Sequence, residues 1–158
     1  LSGDVGFGKT EIAMVASFIA VKSGYQVAIV APTTILVSQH YETFKKRFAK
    51  YDVNIAKVDR FTTTKEKKII EASLKEGNID IVLATHSAFN LEYKNLGLVV
   101  IDEEHKFGVK QKEKLKNMVE NVHLLSMSAT PIPRSLNLAL SKIKGFSALN
   151  TAPKTKQE

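Results

Sequence analysis

Gly3-Asp4-Val5-Gly6-Phe7-Gly8-Lys9-Thr10 spells G-x-x-x-x-G-K-[ST], a spacing with which a chain wraps a polyphosphate. The glycines let backbone N–H groups close around phosphate oxygens, Lys9 reaches the β/γ-phosphates and the Thr10 hydroxyl can ligate Mg²⁺. The mostly apolar run from Thr10 through Glu11 to Val21 reads as a buried helix starting at once, its positive end facing the anion. Gly24 is its natural stop.

A second group with chemical potential follows an apolar run, Val99-Val100-Ile101-Asp102-Glu103-Glu104-His105. Asp102 suits a Mg²⁺ beside Thr10, and Glu103 suits the orientation and deprotonation of an attacking water. Ser128-Ala129-Thr130 follows another apolar run. It reads either as a turn before Pro131 and Pro133 or as an element coupling a nucleotide site to a polynucleotide track. Ala31-Pro32-Thr33-Thr34 and Ala84-Thr85-His86-Ser87 put hydroxyls and helix N-terminal amides at two more strand ends. Such groups suit sequence-blind phosphate contacts and equally suit N-capping by Thr34 and Thr85; His86 is compatible with a buried turn.

The elements that must position these residues alternate. Strands are expected at 25–31, 53–58, 79–84, 96–101 and 122–127, and helices at 34–50, 110–119 and 134–142. Thr63-x-x-Glu66 is a capping box opening a further helix that Gly77 ends. Apolar strands separated by helices imply an α/β domain, with a mainly parallel sheet covered by helices on both faces. In such sheets ligands sit outside the carboxyl ends of the strands, where the polar groups above fall. Residues 150–158 have little apolar content and read as a linker, leaving 1–149 as one domain. Only Leu1-Ser2 precede Gly3, so the chain is expected to be an excerpt of a longer protein whose first strand is cut short.

A length of 158 residues, 44% of them hydrophobic and 25% charged, fits one globular core. The absence of Cys excludes a disulfide scaffold and a Cys-based zinc site. No apolar run has membrane-spanning length and no signal peptide is visible. The net charge of +7 and isoelectric point near 9.5 fit either a polyanionic partner or a solvated lysine-rich surface.

In chain order these blocks resemble motifs I, Ia, Ib, II and III of superfamily 2 helicases and translocases. The longer strings "APTTILVSQHYETFKKRF", "LGLVVIDEEHKFGVKQKEKLK" and "SMSATPIPRSLNLAL" are similar to the bacterial transcription-repair coupling factor family over nearly the whole chain. RecG-like branched-DNA helicases are the nearest rival. Phe7, where they usually carry Ser, and Glu104, where they usually carry Gln, favour the coupling factors, whereas Lys106 departs from the family's usual Arg. The resemblance implies a RecA-like P-loop NTPase lobe, cytoplasmic, binding ATP·Mg²⁺ through residues 3–11. It implies Lys9, Asp102 and Glu103 in catalysis and Thr10 and Asp102 on the metal. It also implies His105, Ser128 and Thr130 in coupling, and Thr33, Thr34, Arg60, Thr85 and His86 along double-stranded DNA. A second RecA-like lobe, with the transition-state arginines, and regions meeting RNA polymerase and nucleotide-excision-repair proteins would lie elsewhere in the protein. The isolated lobe is expected to hydrolyse ATP negligibly.

Overall fold

The computed structural model describes residues 2–127, with side chains from Gly8 onward. Ser128, Thr130, the helix expected at 134–142 and the segment 150–158 lie outside the described residues. Helices α1 (Ser2–Lys22), α2 (Thr34–Arg47), α3 (Thr64–Glu76) and α4 (Val109–Met118) alternate with strands β1 (Gln26–Val30), β2 (Ile55–Val58), β3 (Ile81–Ala84), β4 (Leu96–Ile101) and β5 (His123–Ser126). Short 3₁₀ turns occupy His86–Asn90 and Glu104–Lys106. The strands form one sheet in the order β2-β3-β1-β4-β5, and every pairing is parallel.

Alternation along the strands sorts the core into two layers. Val27, Ile29, Leu83, Leu98 and Val100 face α1 and α2, which contribute Ala13, Ala16, Ala20, Val37 and Phe44. Ala28, Val30, Val82, Val99 and Ile101 face the other side, covered by Leu74 of α3, Leu115 of α4 and Phe107. Helices therefore cover both faces, as the continuous apolar strands require. The fully buried alanines of α1 let that helix approach the sheet closely.

One irregularity sets the phase of β4. Gln26 pairs with Leu96 but Val27 pairs with Leu98, so Gly97 is an extra residue bulging from the ladder. Leu96 consequently packs with the α3/α4 layer and Leu98 with the α1/α2 layer. A Cβ at Gly97 would lie 2.5 Å from the Tyr25 ring, so a larger residue does not fit this bulge. Below it, Gln26 is buried and fully engaged. Its Nε2 donates to the Leu74 carbonyl at 3.0 Å and to that of Ile79 at 2.9 Å, and its Oε1 accepts from the Asn95 amide at 2.8 Å.

Several expected boundaries hold. Thr63 and Glu66 form the reciprocal capping box, and Gly77 ends α3 in the left-handed region at φ 84°. Gly24, at φ 95°, turns the chain from α1 into β1. Helix α2 stops at Arg47, with Phe48 as its C-cap, rather than at Lys50.

The start of α1 differs from the expectation. The helix begins at Ser2 and runs through residues 3–9, where a loop followed by a helix at Thr10 is expected. Gly3, Gly6 and Gly8 adopt helical dihedrals as readily as loop ones. A helical course also satisfies the N–H groups of Gly6 and Gly8 with carbonyls four residues back, and each added residue extends an already nucleated apolar helix. Among the described residues no helix is long and apolar enough to cross a membrane.

Candidate nucleotide and nucleic-acid site

The last ladder row reads Val58–Ala84–Val30–Ile101–Ser126 across the whole sheet. Because all strands are parallel, the residues that follow emerge together at one edge. The ladder continues one step further, with the Ala31 amide donating to the Ala84 carbonyl at 3.1 Å, Asp102 to Val30 at 2.8 Å and Met127 to Ile101 at 2.8 Å. Thr33-Thr34, Thr85-His86 and Asp102-Glu103 thus share the carboxyl edge, as the sequence pattern predicts, and Arg60 follows β2 on the same edge. Helix α1 returns toward the same edge. From Lys22 to Thr10 it climbs about 18 Å at 1.5 Å per residue, close to the roughly 20 Å spanned by the extended chain from Tyr25 to Ala31. A helix of that length reaches from one edge of the sheet to the other.

Asp102 is the most tightly held of these groups. Its amide is in the ladder, and its Oδ2 lies 2.7 Å from Nε2 of His40 on α2, both side chains being 14% exposed. His40 sits on the inner face of α2, one turn from Val37 and one from Phe44, the buried residues of that helix. Sequence reasoning missed it. The available signal was a polar residue at helical spacing between two core positions.

Glu103 is the one non-glycine residue with positive φ among the described residues, at φ 54° and ψ 46°. Cβ crowding makes this conformation unfavourable for L-residues, and such residues cluster at functional sites. It turns the chain sharply out of β4 into the 3₁₀ turn. The Glu103 carboxylate faces that turn, 3.3 Å from His105 Nε2 and 3.8 Å from Lys106 Nζ. His105, expected to couple nucleotide state to motion, therefore touches the carboxylate expected to activate water.

The candidate track is built from different turns. The Thr33 hydroxyl accepts the Leu36 amide at 3.2 Å, so the cap of α2 is Thr33 and not Thr34. Thr85 precedes its 3₁₀ turn without a side-chain capping bond, and His86 is exposed, so capping by Thr85 and burial of His86 are both corrected. After β2, the Asp59 carboxylate accepts the Phe61 amide at 2.9 Å and the Thr62 hydroxyl accepts the Asp59 amide at 3.0 Å. This compact turn pushes Arg60 and Phe61 outward, the guanidinium 5.0 Å from the ring centroid. Between this turn and α2 lies an open groove of about 830 Å³, bordered by Thr34, Tyr41, Lys57 and Phe61.

The donors at this edge suit a small hard cation that takes few protein ligands. Among the described residues no group of three or more His, Cys, Asp or Glu side chains could cage a metal. The Asp102 carboxylate and the Thr10 hydroxyl are the oxygen donors that the sequence offers, and Mg²⁺ is a cation that binds through one or two protein oxygens and relies on phosphates and water for the rest. Next to Thr10 in the chain, Glu11 of α1 forms a two-pronged pair with Arg47 of α2. That hydrogen bonding holds the Glu11 carboxyl below its ordinary value, against the opposing effect of partial burial.

Comparison with known proteins agrees with this architecture. The DEAD/DEAH box helicase family matches residues 1–139. Transcription-repair-coupling factors are 56% identical in Helicobacter pylori J99, over 97% of this chain and 15% of that protein. Those of Escherichia coli K12 are 49% identical over 96% of this chain and 13% of that protein. The chain thus spans a small part of these relatives' length. A solved structure of RecG bound to a three-way DNA junction superposes with a TM-score of 0.64 at 40% identity, covering 82% of this chain and 17% of that one. Mycobacterium smegmatis Lhr shares the fold at a TM-score of 0.50 and 14% identity, over 58% of this chain and 12% of that one. With a five-stranded parallel sheet, helices on both faces and its polar motifs gathered at one edge, the chain belongs to the DEAD/DEAH box helicase family.

Proposed function

We propose that this chain is the first RecA-like lobe, residues 1–149, of an ATP-driven double-stranded DNA translocase of the transcription-repair-coupling kind, with 150–158 leading toward a second lobe. The convergence of the strand-end motifs on one sheet edge carries the reading, supported by relatives that are 46–56% identical over nearly the whole chain. In this reading Gly3 to Glu11 bind ATP, and Lys9 neutralises its terminal phosphates. Segment 3–8 exchanges intrahelical bonds for phosphate oxygens, a change that its glycines make inexpensive. Thr10 and Asp102 hold Mg²⁺, which when bound neutralises charge on the phosphates. Glu103 takes the proton of the attacking water. His105, through its contact with Glu103, and Ser128 and Thr130 link nucleotide state to lobe movement. Thr33, Thr34, Arg60, Thr85 and His86 hold DNA phosphates, and the basic surface supplies sequence-blind attraction. The second lobe contributes the transition-state arginines. Further regions of the protein meet RNA polymerase and repair proteins, so that translocation in the cytoplasm displaces a stalled polymerase.

The test is DNA-stimulated ATP hydrolysis and displacement of a stalled RNA polymerase by the intact protein. Both are expected to vanish in Lys9→Ala, while Glu103→Gln retains ATP binding. Polymerase displacement that survives Lys9→Ala would overturn the reading.

A further inference from the structure

We propose that His40 is a positioning residue for Asp102, fixing the carboxylate for the metal and tying it to the helix whose N-terminus carries the DNA-track threonines. The proposal rests on the reading of Asp102 as a metal carboxylate. An ionised carboxylate only accepts hydrogen bonds, so at 2.7 Å it is the Nε2–H of His40 that donates to Oδ2. The Asp102 backbone is already fixed by its 2.8 Å bond to Val30, which leaves rotation of the side chain as its main freedom. The His40 bond removes that freedom while using one of the carboxylate's several lone pairs.

The donor is itself held firmly. Val37 and Phe44 anchor α2 in the core on either side of His40, and the imidazole is mostly shielded from water. Its helix begins at the Thr33 cap, two turns away. A displacement of the Thr33-Thr34 end therefore moves the donor that aims Asp102. A side chain orienting a metal ligand from behind typically changes metal affinity or activity 10- to 100-fold when removed.

The experiment uses the intact protein and the fluorescent nucleotide mant-ADP, titrated without metal and with stepped Mg²⁺. Leu at position 40 keeps bulk and removes the donor. Asn keeps polarity but is too short to reach Oδ2. Gln places an amide N–H near the former Nε2. Loss of the donor in His40→Leu and His40→Asn is expected to raise the Mg²⁺ midpoint for tight nucleotide binding about 10-fold or more. Metal-free binding should stay unchanged, and His40→Gln should recover most of the effect. DNA stimulation of turnover should fall in the same order. Asp102→Asn should abolish the Mg²⁺ dependence, and adding His40→Leu to it should change nothing more. A normal Mg²⁺ midpoint in both His40→Leu and His40→Asn while Asp102→Asn is defective overturns the proposal alone. An equal loss of metal-free binding, or no recovery in His40→Gln, overturns it as well, because His40 would then be merely structural. A normal Mg²⁺ response in Asp102→Asn overturns the metal reading together with the proposal.

Discussion

Glu103 combines an unfavourable backbone with an expected chemical role, and substitution separates the two. At φ 54° and ψ 46° a residue with a Cβ bears a cost of about 1–2 kcal/mol that glycine does not. Glycine forfeits roughly 0.4–1 kcal/mol of this through its freer unfolded chain. Glu103→Gly should therefore be more stable than Glu103→Ala by about 0.5–1 kcal/mol, although it removes more side chain. The contacts to His105 and Lys106 involve mostly exposed groups, and their loss is common to both variants, so it cancels. In chemistry the variants should be alike. Removing a general base commonly costs 10²- to 10⁴-fold, or about 2.7–5.5 kcal/mol at 1.36 kcal/mol per decade, and Glu103→Gln should be equally slow with ATP binding intact. The assay pairs urea midpoints, read from a probe within this lobe, with DNA-stimulated phosphate release by the intact protein. Equal midpoints for the Ala and Gly variants would refute the argument from backbone strain. Turnover within tenfold of normal in Glu103→Gln would move the base elsewhere, with Glu104 the first candidate.

Gln26→Leu strands the Ile79 carbonyl and the Asn95 amide and should cost about 2–4 kcal/mol; a change in urea midpoint equivalent to under 0.5 kcal/mol would contradict it. The Glu11 carboxyl lies below its ordinary 4.5 because of Arg47. A depressed folded-state value gives stability that is present above the unfolded value and lost as pH falls through the folded one. Urea midpoints from pH 7 down to 3 should therefore decline less steeply below about pH 4.5 in Arg47→Ala, by a modest amount for so exposed a pair, and parallel curves would count against the coupling. Thr33→Ala should lose about 1 kcal/mol with its cap. Thr85→Ala, which loses no capping bond, should leave the urea midpoint unchanged yet weaken DNA-stimulated turnover; destabilisation by Thr85→Ala would make that residue structural.

Local signals carried much of the architecture. Thr63 and Glu66 declare a helix start because two short-range bonds satisfy two amides there, and Gly77 declares its end because a left-handed residue is needed. Uninterrupted apolar runs at 27–30, 81–84 and 96–101 declare strands buried on both faces. The shared edge follows from the alternation of strands and helices, since parallel strands all end on the same side. What depended on distant partners was not legible. Whether Thr33 or Thr34 caps α2 turns on one residue of helix phase. The Gly97 bulge becomes visible only against β1, and Gln26 and His40 acquire their roles from carbonyls and a carboxylate on other elements. The helical course of residues 3–9 shows the opposite limit, since glycines specify freedom rather than one conformation.

The central position of β1 has a consequence for synthesis. Val30 finds its neighbours in Ala84 and Ile101, both made much later. At roughly 5–20 residues per second, the segment Gln26 to Ala31 leaves the ribosome on the order of several seconds before either flanking strand exists. During that interval its apolar side chains and both backbone edges are open to other chains, the condition under which strands pair wrongly. Within this lobe the central strand is therefore most exposed to mispairing between the emergence of β1 and that of β4, and conditions that slow translation across this stretch should lower the yield of folded lobe.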